Sequence, residues 1–396
     1  MKDEAPYYVY EGKTIEDACG CLRYAFPGFD FLYSVKANPF GPVMGLIAKQ
    51  GFGADAASAL EVEMSHACGI PSGNIYYSSP GKREKDIRRS MGNCVLVADS
   101  LHELQIIQSV AAESGRLERI GLRLHPDFTM EGGNAGPGKF GIGQEQLSAL
   151  KQTLRACPNL LPAGIHVHLK SQVLSADILG NYYRNVMNLA LPLREELGME
   201  MEFINFGSGI GTTYDETGDR PVDLERLRDF AEEIVSMNRT LRARLLIETG
   251  RYVLCRAGRY ITPVVDKKTS HGTVYLIVPG GLNGFMRPAV AALLEKAAAG
   301  KELPGMEPLF TSRNAFQIRV LNESTETETV TVTGNLCTAL DVIKENVTLQ
   351  KAEIGDLIEI SNAGSYAYTL SPLLFSGQDE PGQYLITADG QWIGGE

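Results

Sequence analysis

No apolar run in this chain approaches the roughly 20 residues a helix needs to cross a bilayer, so the sequence offers no helical membrane span. The opening MKDEAPYYVYEGK lacks the apolar stretch of a signal peptide, and a cytoplasmic location is the default expectation. Low-complexity tracts and long blocks of like charge are also missing. Basic residues are in the minority, 37 against 48 acidic, and the resulting charge of −11 is spread along the whole chain. That balance speaks for solubility and against nucleic acid, which asks for a basic face. Cysteine is no framework here: the seven, at positions 19, 21, 68, 94, 157, 255 and 337, are odd in number and irregular in spacing. Such a pattern fits reduced thiols better than disulfides. Neither the cysteines nor the six histidines show metal-ligand spacing, so no metal is expected.

What remains is an ordinary globular composition over 396 residues, enough for two domains or one large barrel with an appendage. From about residue 30 to 250, short apolar runs alternate with longer helical patterns. The candidate strands are FLYSVK (31–36), FGAD (52–55), IYYSS (75–79), CVLVA (94–98), RIGLRL (119–124), GIHVHL (164–169), MEFINF (201–206) and RLLIE (244–248). Between them lie segments such as SLHELQIIQSVAAESG and PVDLERLRDFAEEIVSMNR, with apolar residues three and four apart and polar caps at Ser100 and Asp223. Eight β-then-α steps over this length match a (β/α)8 TIM barrel. An open doubly wound sheet stays possible, because alternation does not show closure. After about residue 255 the pattern becomes short strands joined by Gly, Asn and Asp turns, interrupted by one helical piece, PAVAALLEKAAAG. The expected organisation is a barrel over 12–254, with 1–11 (through the strand YYVY) and 255–396 forming an antiparallel β-rich barrel or sandwich.

Catalytic groups of such a barrel gather at the C-terminal ends of its strands. Lys36 ends the first candidate strand, where desolvation would free its amine to attack an aldehyde. Read alone, it is also an ordinary strand-end lysine with its head in solvent. GSGIG (207–211) follows MEFINF, and glycines there let backbone N–H groups converge on a phosphate; the plain alternative is a tight turn. Arg251, just past the eighth strand, is placed for a bidentate grip on the same phosphate. Glu248 ends that strand, where a carboxylate would keep a pyridine nitrogen protonated. His168, in HVHLKSQ, is placed to stack on a flat ring. Together these residues point to pyridoxal phosphate.

The same residues, in order over essentially the whole chain, resemble the fold-type III pyridoxal-phosphate decarboxylases, the family of ornithine and diaminopimelate decarboxylases, whose barrel is alanine racemase-like. YSVKAN resembles the segment with the Schiff-base lysine, which gives Lys36 that role. ADAASALEVE resembles a D-x-A-S-x-x-E stretch and places Asp55, Ser58 and Glu61 near the cofactor. HVHLKSQ implies His168 on the ring, with Ser171 near the phosphate. GSGIG resembles the phosphate loop (Gly207, Ser208, Gly209, Gly211), and ETGRY the segment giving Glu248 and Arg251. LCTALD resembles the cysteine loop that reaches into the partner subunit's site, which implies a homodimer with shared active sites. Cys337 would be the proton donor to Cα after CO2 leaves, beside Thr338 and Asp341 as substrate contacts. NAGSYAY implies Tyr366 on the phosphate.

GLNGFMRP resembles the substrate segment of diaminopimelate decarboxylases, with Arg287 as its arginine. Those enzymes, however, carry Glu directly after the cysteine, a ligand for the substrate's distal amino group, and here that residue is Thr338. The chain in this respect is closer to the branch acting in siderophore or antibiotic biosynthesis, on amino acids joined to a carboxylic acid or a carrier. Lys170 is a further departure, either a contact for an anionic substrate group or a solvated side chain. A diaminopimelate decarboxylase proper and an amino-acid racemase are the alternatives. Racemases of this fold use a second tyrosine base and an arginine at the pyridine nitrogen, which Glu248 argues against.

Overall fold

The computed structural model describes residues 6–214, 218–298, 300–301, 305–312 and 314–394. They fall into two compact units: Cys19–Gly211 with Val222–Gly250, and Met1–Ala18 with Thr212–Pro221 and Arg251–Glu396.

A first strand, Tyr7–Glu11 (β1), belongs to the second unit. The other unit is built on Phe29–Ser34 (β2), Gly53–Ala56 (β3), Ile75–Tyr77 (β4), Val95–Ala98 (β5), Glu118–His125 (β6), Leu160–His166 (β8), Phe203–Asn205 (β9) and Arg244–Thr249 (β10). The two-residue Ile142–Gly143 (β7) pairs only with β6. Each of the eight long neighbours is parallel to the next, and the ring closes through β5–β6 and β10–β2. This is a TIM barrel, not an open sheet. Helices fill the crossovers, and the two caps read from sequence are formed: Ser100 Oγ accepts the Glu103 N–H at 3.1 Å and Asp223 Oδ1 the Arg226 N–H at 3.0 Å.

Successive strand residues alternate faces, so positions two apart line the same side. Leu32, Tyr76, Val97, Phe203 and Leu246 pack with Ala163 into an apolar cluster inside the ring. Glycine is required at two neighbouring positions. A Cβ on Gly164 would stand 2.5 Å from the Phe203 ring, and one on Gly121 would stand 2.9 Å from it. Two residues further along every strand the character changes. Ser34, Asp55, Ser78, Asp99, Arg123, His166, Asn205 and Glu248 form a polar layer, one from each strand or the residue just past it, and all are buried. The barrel therefore carries an apolar plug beneath a ring of buried polar groups at its C-terminal mouth, where chemistry in this fold is done.

In the second unit, Gly258–Pro263 (β11), Asp266–Ser270 (β12), Thr273–Val278 (β13), Ile318–Val320 (β14), Thr327–Gly334 (β15), Val342–Gln350 (β16), Leu357–Ile360 (β17), Gly382–Ile386 (β18) and Trp392–Gly394 (β19) join β1. They make a six-stranded sheet, β14-β17-β11-β1-β18-β19, and a four-stranded one, β12-β13-β15-β16. Most pairs are antiparallel, while β1–β18 and β13–β15 run parallel. On β1, Tyr7 and Val9 pack on Ile261, while Tyr8 and Tyr10 are fully buried. Tyr8 Oη donates to the Gly284 carbonyl at 2.5 Å and Tyr260 Oη to that of Gly280 at 2.6 Å. These tyrosines pin the turn that leads into the helix Met286–Ala298. Among the described residues no helix is long and apolar enough to cross a membrane.

Candidate active site

Lys36 sits not on β2 but in the 3-10 turn Val35–Ala37 that follows it. The desolvation expected of it is absent: its side chain keeps 47% exposure and its ammonium pairs with Asp55 Oδ2 at 3.0 Å. Asp55 is fully buried and takes two further hydrogen bonds, from Ser34 Oγ (3.0 Å) and Ser78 Oγ (2.8 Å). Three strands thus fix one carboxylate, and that carboxylate fixes the lysine. Ser58 and Glu61, expected near the cofactor, do structural work. Ser58 caps the helix Ala59–Ala67 by accepting the Glu61 N–H, and Glu61 Oε2 accepts the Ala57 N–H at 2.6 Å, a variant of the capping box. Burial, aided by the nearby Asp55 charge, pushes Glu61 up to about 7.

His168 lies two residues beyond β8 and is half-buried. The Ser208 N–H donates to its Nδ1 at 3.1 Å, so the ring proton is on Nε2, and this bond ties His168 to the glycine loop. Gly207 is at φ 65 and a Cβ there would stand 2.6 Å from the Val167 carbonyl, so no other residue fits. Three loop amides are already used: Gly207 donates to Asn205 Oδ1, Ser208 to His168, and Gly211 to the Val173 carbonyl. Those of Gly209 and Ile210 have no acceptor among the described residues. Ser171 lies in the facing segment, beside Gln172 at φ 62. Lys170 pairs with Glu131 at 2.5 Å and both are more than two-fifths exposed, the solvated arrangement.

Glu248 is held from two strands: Asn205 Nδ2 donates to Oε1 at 2.9 Å and His166 Nε2 lies 3.2 Å from the same atom. Burial works against its ionisation, but His166, then Lys36 and His168, outweigh burial and hold it below the usual carboxylate range. Burial also pushes His168 down to about 4. Both shifts make the cofactor-free protein acid-labile. An unfolded chain protonates this histidine near its ordinary value and the carboxylate below that, while the folded chain resists both, so stability falls as pH drops below about 6.5. Thermal melts should show the decline, and His168→Phe should flatten its upper part, between about pH 6.5 and 4.5. Equal slopes for the two proteins would refute the assignment.

In the second unit, Arg251 is not a free phosphate ligand: its guanidinium bonds Tyr214 Oη and Glu307, with the Tyr366 ring 5.1 Å away. Tyr366 holds φ 54, uncommon for a residue with a side chain. Arg287 is fully buried: its guanidinium hydrogen-bonds Tyr214 Oη (3.3 Å), Thr311 Oγ1 (3.2 Å) and the carbonyls of Ser365 (3.3 Å) and Leu309 (3.4 Å), and lies 5.1 Å from the centre of the Phe316 ring. Its nearest carboxylate link is indirect, through Thr311 Oγ1, which donates to Glu307 Oε1 at 2.6 Å.

Asp341 differs from the expectation of a substrate contact. It is 2% exposed, and its two oxygens are spent on backbone amides, Leu282 N–H at 2.6 Å and Leu336 N–H at 2.9 Å. It is a clamp joining the turn before Arg287 to the loop that carries Cys337. That loop closes at its base with Gly334 N–H to the Asp341 carbonyl, 2.9 Å, and leaves the Cys337 thiol exposed at its tip. Thr338 is taken up within it, its Oγ1 accepting the Leu340 N–H at 3.3 Å. Asp341→Ala should cost about 2–4 kcal/mol in denaturant unfolding, since two buried amides lose their acceptor. A loss below about 1 kcal/mol would show that water replaces it.

The pyridoxal binding domain of the pyridoxal-dependent decarboxylases matches residues 13–255 of this chain. The chain belongs to that family. It is a pyridoxal-phosphate-dependent decarboxylase. Over 388 residues it is 29% identical to the L-glutamyl-[BtrI acyl-carrier protein] decarboxylase of Niallia circulans, covering 96% of this chain and 88% of that one. It is 28% identical to the diaminopimelate decarboxylase of Archaeoglobus fulgidus over 393 residues, 97% of this chain and 88% of the other. Among solved structures, Helicobacter pylori diaminopimelate decarboxylase complexed with L-lysine superposes with a TM-score of 0.80 at 25% identity, covering 98% of this chain and 93% of that one. These relatives are named decarboxylases, and the racemase alternative is not favoured.

Features of the barrel mouth fit the cofactor of this decarboxylase: a half-exposed amine on Lys36, two glycine-loop N–H groups with no acceptor among the described residues, and Glu248 Oε2, which no hydrogen bond reaches among the described residues. Sequence reasoning missed Ser34, Ser78, Asn205, His166 and Tyr214. One signal was available for His166: in H-V-H it stands two residues before His168, at the end of β8.

Proposed function

We propose that this decarboxylase acts on an amino acid whose far end carries no free ammonium group, an amino acid joined to a carboxylic acid or to a carrier, as in siderophore or antibiotic biosynthesis. The observation that carries this is the cysteine loop. Where the diaminopimelate enzymes have a Glu for the distal amine it has Thr338, and its remaining carboxylate, Asp341, has both oxygens committed to backbone amides. A charged ammonium there would be desolvated without a partner, which is costly. The similarity to a decarboxylase of a carrier-bound glutamyl group supports the reading.

When bound, pyridoxal phosphate supplies an aldehyde for the substrate's amine and a ring that accepts electrons from the Cα–carboxylate bond. Lys36 would hold it through Nζ, with Asp55 directing that nitrogen. The neutral face of His168 would lie against the ring, and the Gly209 and Ile210 amides would meet the phosphate. Glu248 Oε2 would take the ring N–H. Arg251 and Tyr366 are proposed for the phosphate on resemblance alone, and Arg287 for a substrate acid group. Cys337, exposed at a loop tip, would deliver a proton to Cα in the partner subunit's site, which makes the working unit a homodimer.

A CO2-release assay with meso-diaminopimelate, L-ornithine, L-lysine, a γ-glutamyl pantetheine thioester and citryl-linked diamino acids tests the substrate. Turnover confined to the conjugates is expected, and a kcat/KM for meso-diaminopimelate equal to theirs overturns the proposal. Mixing inactive Lys36→Ala and Cys337→Ala proteins should restore activity that neither has alone. No restoration would overturn the shared site.

A further inference from the structure

Glu248 has an unusual second neighbour. Its Oε1 is reached by Asn205 from β9 and by His166 from the end of β8, and His166 is 1% exposed. A carboxylate oxygen only accepts, so at 3.2 Å the nearer ring atom, Nε2, must carry the hydrogen, and neither ring nitrogen has another partner among the described residues. The contact is off the line of a good hydrogen bond, since neither ring nitrogen meets the geometric requirement of one. It is nonetheless enforced from both sides. Tyr182 Oη donates to the carbonyls of Val167 (2.8 Å) and Phe206 (2.9 Å), stapling the ends of the strands that carry His166 and Asn205. The charged and titratable groups facing Glu248 are His166, His168, Lys36 and, from the helix Ala176–Leu197, Tyr182. Of these only His166 stands beside Oε1 as a buried donor with no other partner.

We propose that His166 is a positioning residue for the reaction: with Asn205 it occupies Glu248 Oε1, so that Oε2 alone is turned to the cofactor's ring nitrogen as a fixed anionic acceptor. The inference rests on the reading that Glu248 partners that nitrogen. It follows that His166 acts on the cofactor through Glu248 and touches neither cofactor nor substrate itself.

The test is spectroscopic and needs no substrate. Holoenzyme loaded with pyridoxal phosphate labelled with 15N in the ring is followed by NMR between about pH 6 and 9. In the wild type the ring nitrogen should remain protonated throughout. In His166→Phe, which keeps the ring shape and removes the donor, the pH at which the nitrogen loses its proton should fall by at least about one unit, a tenfold change. His166→Gln, whose amide nitrogen stands where Nε2 does, should restore most of the wild-type profile. His166→Asn, whose amide matches Nδ1 instead, should behave as Phe does and serves in its place if the Phe protein does not fold. An unchanged profile in the Phe or Asn protein overturns the proposal, and so does failure of Gln to restore it. Glu248→Gln separates the two layers: if it leaves the nitrogen protonated, the Glu248 reading falls, whereas a shift there without one in His166→Phe sinks the His166 role alone.

Discussion

Lys36→Ala should lower CO2 release by about 10⁴-fold or more while leaving a folded protein. The two halves of that expectation come from different contacts. Chemistry needs the amine, because no other amine lies on the turn after β2 and a carboxylate without it offers the cofactor no covalent anchor. Stability does not, because the side chain is half exposed and Asp55 keeps its bonds from Ser34 and Ser78 when the ammonium is gone. The pair should be worth about 1 kcal/mol or less. Lys36→Arg sharpens the point. It keeps the charge next to Asp55, yet a guanidinium that stays protonated is no nucleophile, so it should be as inactive as Ala. Absorbance of bound cofactor, melting temperature and CO2 release decide the matter together. A Lys36→Ala protein with undiminished activity would sink the mechanism, and one that binds cofactor but melts far below the wild type would show Lys36 to be mainly structural.

The barrel was legible because its strands are continuous apolar runs separated by capped helices, and the caps at Ser100 and Asp223 formed as their side chains dictate. Lys36, His168, Glu248 and the glycine loop stand out as candidates because each lies at or just past a strand end with a side chain, or a lack of one, that suits an anion or a ring. The polar layer beneath was harder. Ser34, Ser78 and Asn205 are common residues whose role exists only once β2, β4 and β9 are neighbours of Asp55 and Glu248 in a closed ring, and no linear spacing encodes that. Asp341 was misjudged for the opposite reason: a carboxylate in a loop with a reactive cysteine invites a substrate role, and only the folded chain shows its oxygens turned to two amides far apart in sequence. The strand β16 is hard to read from sequence because it is largely polar and little buried, and Asn346, at φ 50, breaks its alternation.

A second large effect is expected at a place that touches no substrate. Lys82 is completely buried, and its ammonium meets Glu103 Oε1 at 2.5 Å and the carbonyls of Val97 (2.7 Å) and Ser79 (2.8 Å). Burial pushes the lysine down and the carboxyl up, so desolvation works against the charged pair, and their mutual contact is the largest influence opposing it. Lys82→Met removes one partner and leaves the other buried alone, which should cost about 3–5 kcal/mol in denaturant unfolding. Adding Glu103→Leu removes the stranded carboxylate and should recover most of that loss, though the Asp99 N–H, which Glu103 accepts at 3.3 Å, and two carbonyls stay short of partners. Damage to the site should follow the same order. Asp99 belongs to the polar layer, 3.5 Å from Arg123, and Arg123 in turn donates to the Ser78 carbonyl, whose hydroxyl holds Asp55. Lys82→Met should therefore weaken cofactor binding as well as the fold. If the double variant proved as unstable as the single one, the hydrogen bonds to backbone, and not the unpaired charge, would be what this pair supplies.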